Sequence, residues 1–477
     1  MKKILLFVFS LILAGPANSN WTGDVLVTSQ LPQGRISFAS DLLGTVFYAS
    51  VPQTSLNPSY SLGIFESSNN GLSWTLRSLG GGMSGQVVKK SKLLVTGTGT
   101  VVCVFLAGNN IFTLDVMSGT QTAFTLLTAD DFDAVASPNS NSIYLFVDED
   151  GTNTIRRYSS GDAGITWGGS SALVTSGGAK PMVSMAGTRL VLTYYGPVLA
   201  DTATSVIRTA YYNETGVATL TSVGGSFQDI VTNTSVRKKS FKPVYNGNVI
   251  WFFWTEGDLT SVLKCRISTN GGDNYGPEFL VAGTPTLSVS YPDAAFNPNT
   301  GEVQLCYHAD SSQAAPPDPH TESIVFRTAA SAAPSNFSSP LIINDYITEV
   351  PSVEYYPALG SFPSAAGGGA GIFWVQNGNS GPALFFDASN LVLGVNNLSD
   401  NSRVTSYPNP VKDFLYIDNK EMKFQTAELY DLNSRKLKSF ELAKKSASID
   451  MSDFTAGLYV LRLIDKDQSL IKKIVKE

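Results

Sequence analysis

Few side chains in this 477-residue sequence gather in a pattern that suggests chemistry. Its two histidines, His308 and His320, lie in or beside the segment Ala314-Ala315-Pro316-Pro317-Asp318-Pro319, with Asp310 near. Imidazole and carboxylate together are metal ligands, but a proline-rich, solvent-exposed loop accounts for both, and no metal is expected there. Asp148-Glu149-Asp150-Gly151 offers oxygens to Ca²⁺; its spacing also suits a solvated hairpin turn, the reading adopted. Cys103, Cys265 and Cys306 are odd in number and lack paired spacing. They read as buried thiols, with a Cys265–Cys306 bridge between neighbouring strands as the alternative. The sequence has no phosphate-binding loop, dinucleotide fingerprint or nucleophile elbow, so no cofactor is expected.

A different set of residues recurs. Ser67-Ser68-Asn69-Asn70-Gly71-Leu72-Ser73-Trp74 is echoed by Ser160-Gly161-Asp162-Ala163-Gly164-Ile165-Thr166-Trp167 and by Ser268-Thr269-Asn270-Gly271-Gly272-Asp273-Asn274-Tyr275. Each copy has the chemistry of a hairpin turn. The Ser hydroxyl and the Asp or Asn side chain bond the turn's own backbone, Gly supplies positive φ, and the aromatic begins the next strand. Around these turns, paired apolar strands recur about every 55 residues: 45–50 with 62–66, 101–106 with 111–114, 143–147 with 154–158, 190–195 with 206–211, 249–254 with 262–267, 303–307 with 324–327, and 371–375 with 383–386. With flanking strands, these make seven four-stranded units, or six and a closing extension. Residues 365–371 read as a glycine-rich loop in the last unit.

The three turns resemble the Asp boxes of sialidase-like (BNR-repeat) β-propellers, which implies an all-β propeller of seven, or else six, blades. In that family the boxes lie at the outer rim and are structural. A sialidase also needs three arginines on the substrate carboxylate, a Tyr–Glu nucleophile pair and an acid/base Asp. Arg35, in Gly34-Arg35-Ile36-Ser37, matches the first arginine without its flanking aromatic and proline, and Tyr291 falls near the nucleophile. The other positions are lost: residues 48–53 carry no carboxylate, Ser184 and Tyr195 stand where the Glu and second Arg belong, and Asp258-Leu259-Thr260 has no third Arg. Groups that act as a unit fail as a unit. The resemblance therefore implies a non-catalytic glycan- or protein-binding propeller with Arg35 and Tyr291 as candidate ligand contacts. A glycoside hydrolase with a rearranged site is the alternative. Tyr194, Tyr195, Trp251 and Trp254 would favour sugar stacking if exposed, although packing between blades is the use expected of most.

The ends of the chain carry addresses. Lys2-Lys3, an apolar run over residues 4–14 and the small-residue site Ala17-Asn18-Ser19 form a signal peptide, too short to span a membrane. The tail contains Tyr407-Pro408-Asn409-Pro410, then Phe454-Thr455-Ala456-Gly457-Leu458-Tyr459, and closes on Lys472-Lys473-Ile474-Val475-Lys476-Glu477. It resembles the type A C-terminal sorting domain of the Bacteroidota type IX secretion system, which implies a small Ig-like β-sandwich and the secretion machinery as partner. The net charge is −6, made up of a tail basic by about three charges, a body acidic by about eleven and the two lysines of the leader. An acidic body argues against nucleic acid, whose phosphates call for cationic surface. The organisation expected is a signal peptide over 1–19, a propeller over 20–395, a linker over 396–405 and the sorting domain over 406–477.

Overall fold

The computed structural model describes residues 21, 24–29, 32, 34–57, 60–80, 86–124, 128–168, 172–197, 202–223, 227–258, 260–284, 286–310, 322–344, 357–362, 369–378, 381–389, 404–408, 410–419, 425–430, 436–442, 446–455, 457–464 and 469–477. The stretch expected to be a signal peptide, most of the expected linker, His320 and Asn409 lie outside the described residues. The chain divides into two compact units, Met1–Asn390 and Leu391–Glu477.

Unit one is built from strands that read as unbroken apolar runs. Val101–Ala107 and Ile250–Glu256 are buried at every position, a pattern that arises when a strand is covered on both faces of its sheet. Such strands force their sheets to stack face to face. Each is the second strand of a four-stranded antiparallel sheet. The first sheet runs Ser37–Ser40, Phe47–Asn57, Tyr60–Ser67, Thr75–Gly80, and the second Val88–Val95, Val101–Ala107, Asn110–Asp115, Gln121–Phe124. The third contains Ala129–Ala136, Ile143–Glu149, Thr154–Ser160 and Ala172–Ser176. The fourth contains Ala179–Ala186, Arg189–Tyr195, Ile207–Gly216 and Thr219–Ser222, with Gln228–Val231 also pairing to its third strand. The fifth runs Lys238–Tyr245, Ile250–Glu256, Val262–Ser268, Phe279–Ala282, and the sixth Ser288–Asn297, Glu302–Asp310, Glu322–Ala330, Leu341–Ile342.

The seventh sheet takes Ala358–Phe362, Gly369–Gly378 and Gly381–Ala388 from the end of the unit and its outer strand, Val25–Thr28, from the beginning. The innermost strands touch in chain order, and Ala358–Phe362 touches Ser37–Ser40, so the sheets close into a ring. This is a β-propeller, with seven sheets among the described residues. Its apolar cores lie between sheets: Trp251 and Phe253 of the fifth meet Val303, Leu305 and Tyr307 of the sixth, while Phe47 of the first meets Phe373 and Phe386 of the seventh. Each buried aromatic contributes about 1.5–3 kcal/mol. Because apolar surface is used between sheets, the axis can stay polar.

Two expectations need correction. His308 is not in a solvent-exposed loop but buried on Glu302–Asp310, because the apolar run that begins at Val303 continues through it. Gly369 to Gly371 already belong to a strand, hydrogen-bonded on the far side to Phe362 and Gly360. Tyr194, Tyr195, Trp251 and Trp254 are all buried and pack between sheets.

The recurring turns join third strands to outer strands of the first, third and fifth sheets. In each, the serine hydroxyl donates to the Asn or Asp side chain: Ser67 to Asn69 at 2.8 Å, Ser160 to Asp162 at 2.7 Å and Ser268 to Asn270 at 2.8 Å. The same hydroxyl accepts the N–H of Gly71, Gly164 or Gly272 at 2.8–2.9 Å. Gly71, at φ +83°, does more than turn the chain. A Cβ there would stand 2.0 Å from the Phe386 ring of the preceding sheet. Trp74 packs edge-on to that ring at 5.0 Å, Trp167 on Phe124 at 5.6 Å, and the Tyr275 hydroxyl lies 3.1 Å from that of Tyr211. The turns therefore clamp neighbouring sheets at the rim.

Unit two packs a three-stranded sheet (Val404–Tyr407, Phe414–Asn419, Ser446–Asp450) on a four-stranded one (Thr426–Tyr430, Lys436–Glu441, Gly457–Ile464, Ser469–Lys476). Alternation along Phe414–Asn419 sends Leu415 and Ile417 into a shared core with Leu429, Leu461 and Ile474. Tyr407 pairs with Tyr416, their rings stacked at 5.9 Å, and Tyr459 donates its hydroxyl to the Thr455 carbonyl at 2.7 Å.

Candidate functional site: the central shaft

Every innermost strand lends residues to one cavity of about 140 Å³ on the ring axis. Its charged lining consists of Arg35, Lys90, Lys92, Asp133, Lys242 and Asp293. The alternation of a strand turns these side chains toward the shaft while their neighbours pack between sheets. Arg35 precedes the first inner strand and bridges to Lys90 of the second sheet, and its carbonyl accepts the Ser91 hydroxyl at 3.2 Å.

The ion pairs form a module that occurs twice. Lys92 of the second sheet pairs with Asp133 of the third at 3.2 Å, and Asp133 also accepts the Val183 N–H of the fourth at 2.9 Å. Three sheets further round, Lys242 of the fifth pairs with Asp293 of the sixth at 2.6 Å, and Asp293 accepts the Leu359 N–H of the seventh at 2.8 Å. Each module thus ties three consecutive sheets together. Uncharged versions link other sheets: Ser37 accepts the Leu93 N–H at 2.9 Å and Ser184 the Tyr245 N–H at 3.1 Å. Lys90 meets Asp131 at 2.7 Å.

Electrostatics sort the members of these modules. Burial pushes the Asp133 carboxyl up, but the ammonium groups of Lys92 and Lys90 and the Val183 N–H outweigh it and hold the group below the usual carboxylate range. Burial, reinforced by Lys242, lowers Lys92 against the pull of Asp133. For Lys242 the balance reverses, and Asp293 overcomes burial to raise it. The Lys92 and Lys242 side chains, deep in the ring, are still 27% and 24% exposed to the shaft, so solvent screens part of each interaction. Asp148, just behind the shaft, accepts the Lys180 N–H at 2.9 Å. Burial raises it to about 7 against that N–H, and Asp131 and Asp130 add to the rise.

The two candidate contacts part company. Arg35 lines the shaft. Tyr291 sits at φ +52° in the bulge between Ser290 and Asp293, with its ring 6.4 Å from that of His308, and is not among the lining residues, although Pro292 and Asp293 are. Ser184 and Tyr195 serve the frame, Tyr195 through a 2.9 Å hydrogen bond to the Lys238 carbonyl. Asp148 is turned to Lys180 while Asp150 takes the Asn109 amide at 2.7 Å, so their oxygens are spent on different neighbours. Among the described residues no group of three His, Cys, Asp or Glu side chains gathers as a metal site. The three thiols are free and buried, and burial pushes Cys103 to about 12.

Sequence reading missed the Lys–Asp modules. The available signal was an internal echo: Asp133-Ala134-Val135-Ala136-Ser137-Pro138-Asn139 against Asp293-Ala294-Ala295-Phe296-Asn297-Pro298-Asn299.

Residues 405–477 match the Secretion system C-terminal sorting domain. The tail therefore marks the chain for secretion, to the cell surface or beyond it, by the type IX route. No helix among the described residues is long and apolar enough to cross a membrane. No curated protein sequence matches the chain. Solved structures similar to it include a protein of unknown function from Dyadobacter fermentans (12% identity, 77% of this chain and 97% of that one, TM-score 0.44). Another is the propeller domain of the Trilobed protease from Pyrococcus furiosus (8% identity, 77% and 98%, TM-score 0.39). A third is the NanB sialidase from Streptococcus pneumoniae (12% identity, 76% and 70%, TM-score 0.39). The propeller assignment rests on the strand order and the closed ring.

Proposed function

We propose that the secreted propeller is a non-catalytic binding module that takes a glycan or protein group at the mouth of its shaft. The carrying observation is the state of the shaft carboxylates. Both oxygens of Asp133 and of Asp293 are engaged, by a lysine on one side and a backbone N–H of the next sheet on the other. A glycosidase acid needs a carboxyl raised toward neutral pH, and Asp133 is shifted the other way. These groups brace the wall, and the mouth beside Arg35 is left to recognise a ligand.

A glycan array probed with the mature chain, read for both protein retained and terminal sugar lost, tests this. Retention without sugar loss is expected, weakened by Arg35→Ala. Sugar loss that disappears in Asp133→Asn would replace the binding module with a hydrolase. The export route, through the periplasm after signal-peptide removal, is part of the same proposal. Deleting residues 406–477 should leave the protein in the periplasm, and normal export of that truncation would refute it.

A further inference from the structure

Donors and acceptors are unevenly used in the shaft. Asp133 gives one oxygen to Lys92 and the other to Val183 N–H; Asp293 gives one to Lys242 and to Ala294 N–H, and the other to Leu359 N–H. Each carboxylate oxygen thus has at least one donor inside the wall. An ammonium has three N–H donors, and among the described residues Lys92 and Lys242 each meet a single carboxylate. The cavity is lined by Arg35, Lys90, Lys92 and Lys242 together with Asp133 and Asp293, and Lys90 also meets Asp131 at 2.7 Å. An acidic body thus encloses a shaft in which Lys92 and Lys242 keep donors that an anion can take.

Geometry narrows which anion. Lys92 and Lys242 come from the second and fifth sheets, as far apart round the ring as seven sheets allow, yet both line one cavity. A ligand that satisfies both must present acceptors on opposite sides. A planar carboxylate has its two oxygens on one side, whereas a tetrahedral oxyanion points oxygens every way. The volume, about 140 Å³, is below the roughly 300–1,000 Å³ of drug-sized sites; it suits one compact group. The two ammonium groups also sense each other, which helps hold Lys92 low, and an anion between them would relieve that repulsion.

We propose that the shaft binds a tetrahedral oxyanion, sulfate or phosphate, between Lys92 and Lys242, either as the free ion or as the terminal group of a modified glycan. This rests on reading the shaft as the binding site and names the charge it takes. It assigns to Lys92 and Lys242 the recognition of that group.

Titration calorimetry on the mature chain at neutral pH, with sodium sulfate, phosphate and acetate at matched ionic strength, tests the proposal. Sulfate or phosphate should bind saturably at one site per chain, with acetate at least ~10-fold weaker. Lys92→Met and Lys242→Met should each weaken binding by ~10-fold or more, the loss expected for a charge-assisted contact, and Lys242→Arg should retain it. Should a single variant fail to fold, Lys92→Met/Asp133→Asn removes the ion pair without orphaning a charge and keeps the Val183 hydrogen bond. Absence of saturable binding, equal binding of acetate, or undiminished binding by folded methionine variants overturns the proposal. Displacement of array-bound sulfated or phosphorylated glycans by inorganic sulfate would identify a glycan terminus as the source. Ion binding with a silent array would identify the free ion and defeat only the glycan reading above.

Discussion

At the rim of the propeller a side chain closes its own turn; at the shaft the same kind of acceptor reaches into the next sheet. Ser67 and Asn69 are two residues apart, and Asn69 accepts from Ser73 four residues on. Asp133 reaches Val183 across 50 residues and Asp293 reaches Leu359 across 66. At the rim two of the three acceptors are neutral asparagines, while in the shaft charged acceptors are each matched by a lysine. The difference teaches how charge is tolerated. At the open rim the burial of Asp162 is outweighed by hydrogen bonds from Thr166 and Ser160, which hold it below the usual carboxylate range, whereas in the shaft each carboxylate has a lysine beside it. Asp148 is the informative exception. It does the same job as Asp133, holding the next sheet's N–H, but among the described residues no ammonium forms an ion pair with it, and the acidic Asp131 and Asp130 oppose the weaker pull of Lys180. Its carboxyl moves up while that of Asp133 moves down.

The comparison can be broken most visibly at the rim. Gly71→Ala must place a methyl where the Phe386 ring lies, at φ +83°, and should cost about 3 kcal/mol or more. Gly151→Ala, also at positive φ but with nothing within 4 Å, should cost only about 1 kcal/mol. Equal losses in urea unfolding would mean that the rim turns do not clamp sheets.

In the shaft, Asp293→Ala leaves Lys242 and the Leu359 N–H without their partner. A fully buried pair would lose about 3–5 kcal/mol; with both side chains over a fifth exposed, about 2 kcal/mol is expected. Asp293→Asn, which keeps the N–H acceptor, should lose less. If both variants unfold with wild type, the modules are solvated and bind nothing together.

The smallest effect concerns Asp148, whose raised carboxyl keeps a proton in the folded chain between about pH 4 and 7 that the unfolded chain releases. Its contribution to stability is therefore full below about pH 4 and falls as pH rises toward 7. Asp148→Asn should raise stability by about 1 kcal/mol at pH 8, well under the ~4 kcal/mol that three pKa units would allow, and change nothing near pH 4. Asp133 has the opposite sign, its contribution present above about pH 4 and lost as pH falls through its depressed folded value. A pH-independent gain from Asp148→Asn would contradict the account of both.

Sequence separation also explains what could be read beforehand. The rim turns were legible because their bonds close within four residues, so their chemistry is written in one short window. Buried second strands such as Ile250–Glu256 were legible as apolar runs. The Lys–Asp modules were not, because Lys92 and Lys242 look like any solvated strand lysine until the ring brings Asp133 and Asp293 alongside. His308 misled for a related reason: the nearby prolines suggested a loop, while strand pairing on both sides kept it in the sheet. In the tail, the alternation that sends Leu415 and Ile417 into the core shared by the two sheets was legible because it is set within one strand.

The strand Val25–Thr28 has one further consequence. Its partner Phe386 comes about 360 residues later, so the earliest described strand of the first unit waits for that unit's last. Until they meet, Gly381–Ala388 is a raw edge carrying Phe385 and Phe386, the kind of surface that recruits strands from other molecules. A nascent or truncated chain is therefore an open clasp. The described cysteines are all free, so among them the fastening is by hydrogen bonds and packing alone. Such a chain must be kept from its neighbours until the first and last strands of the ring meet.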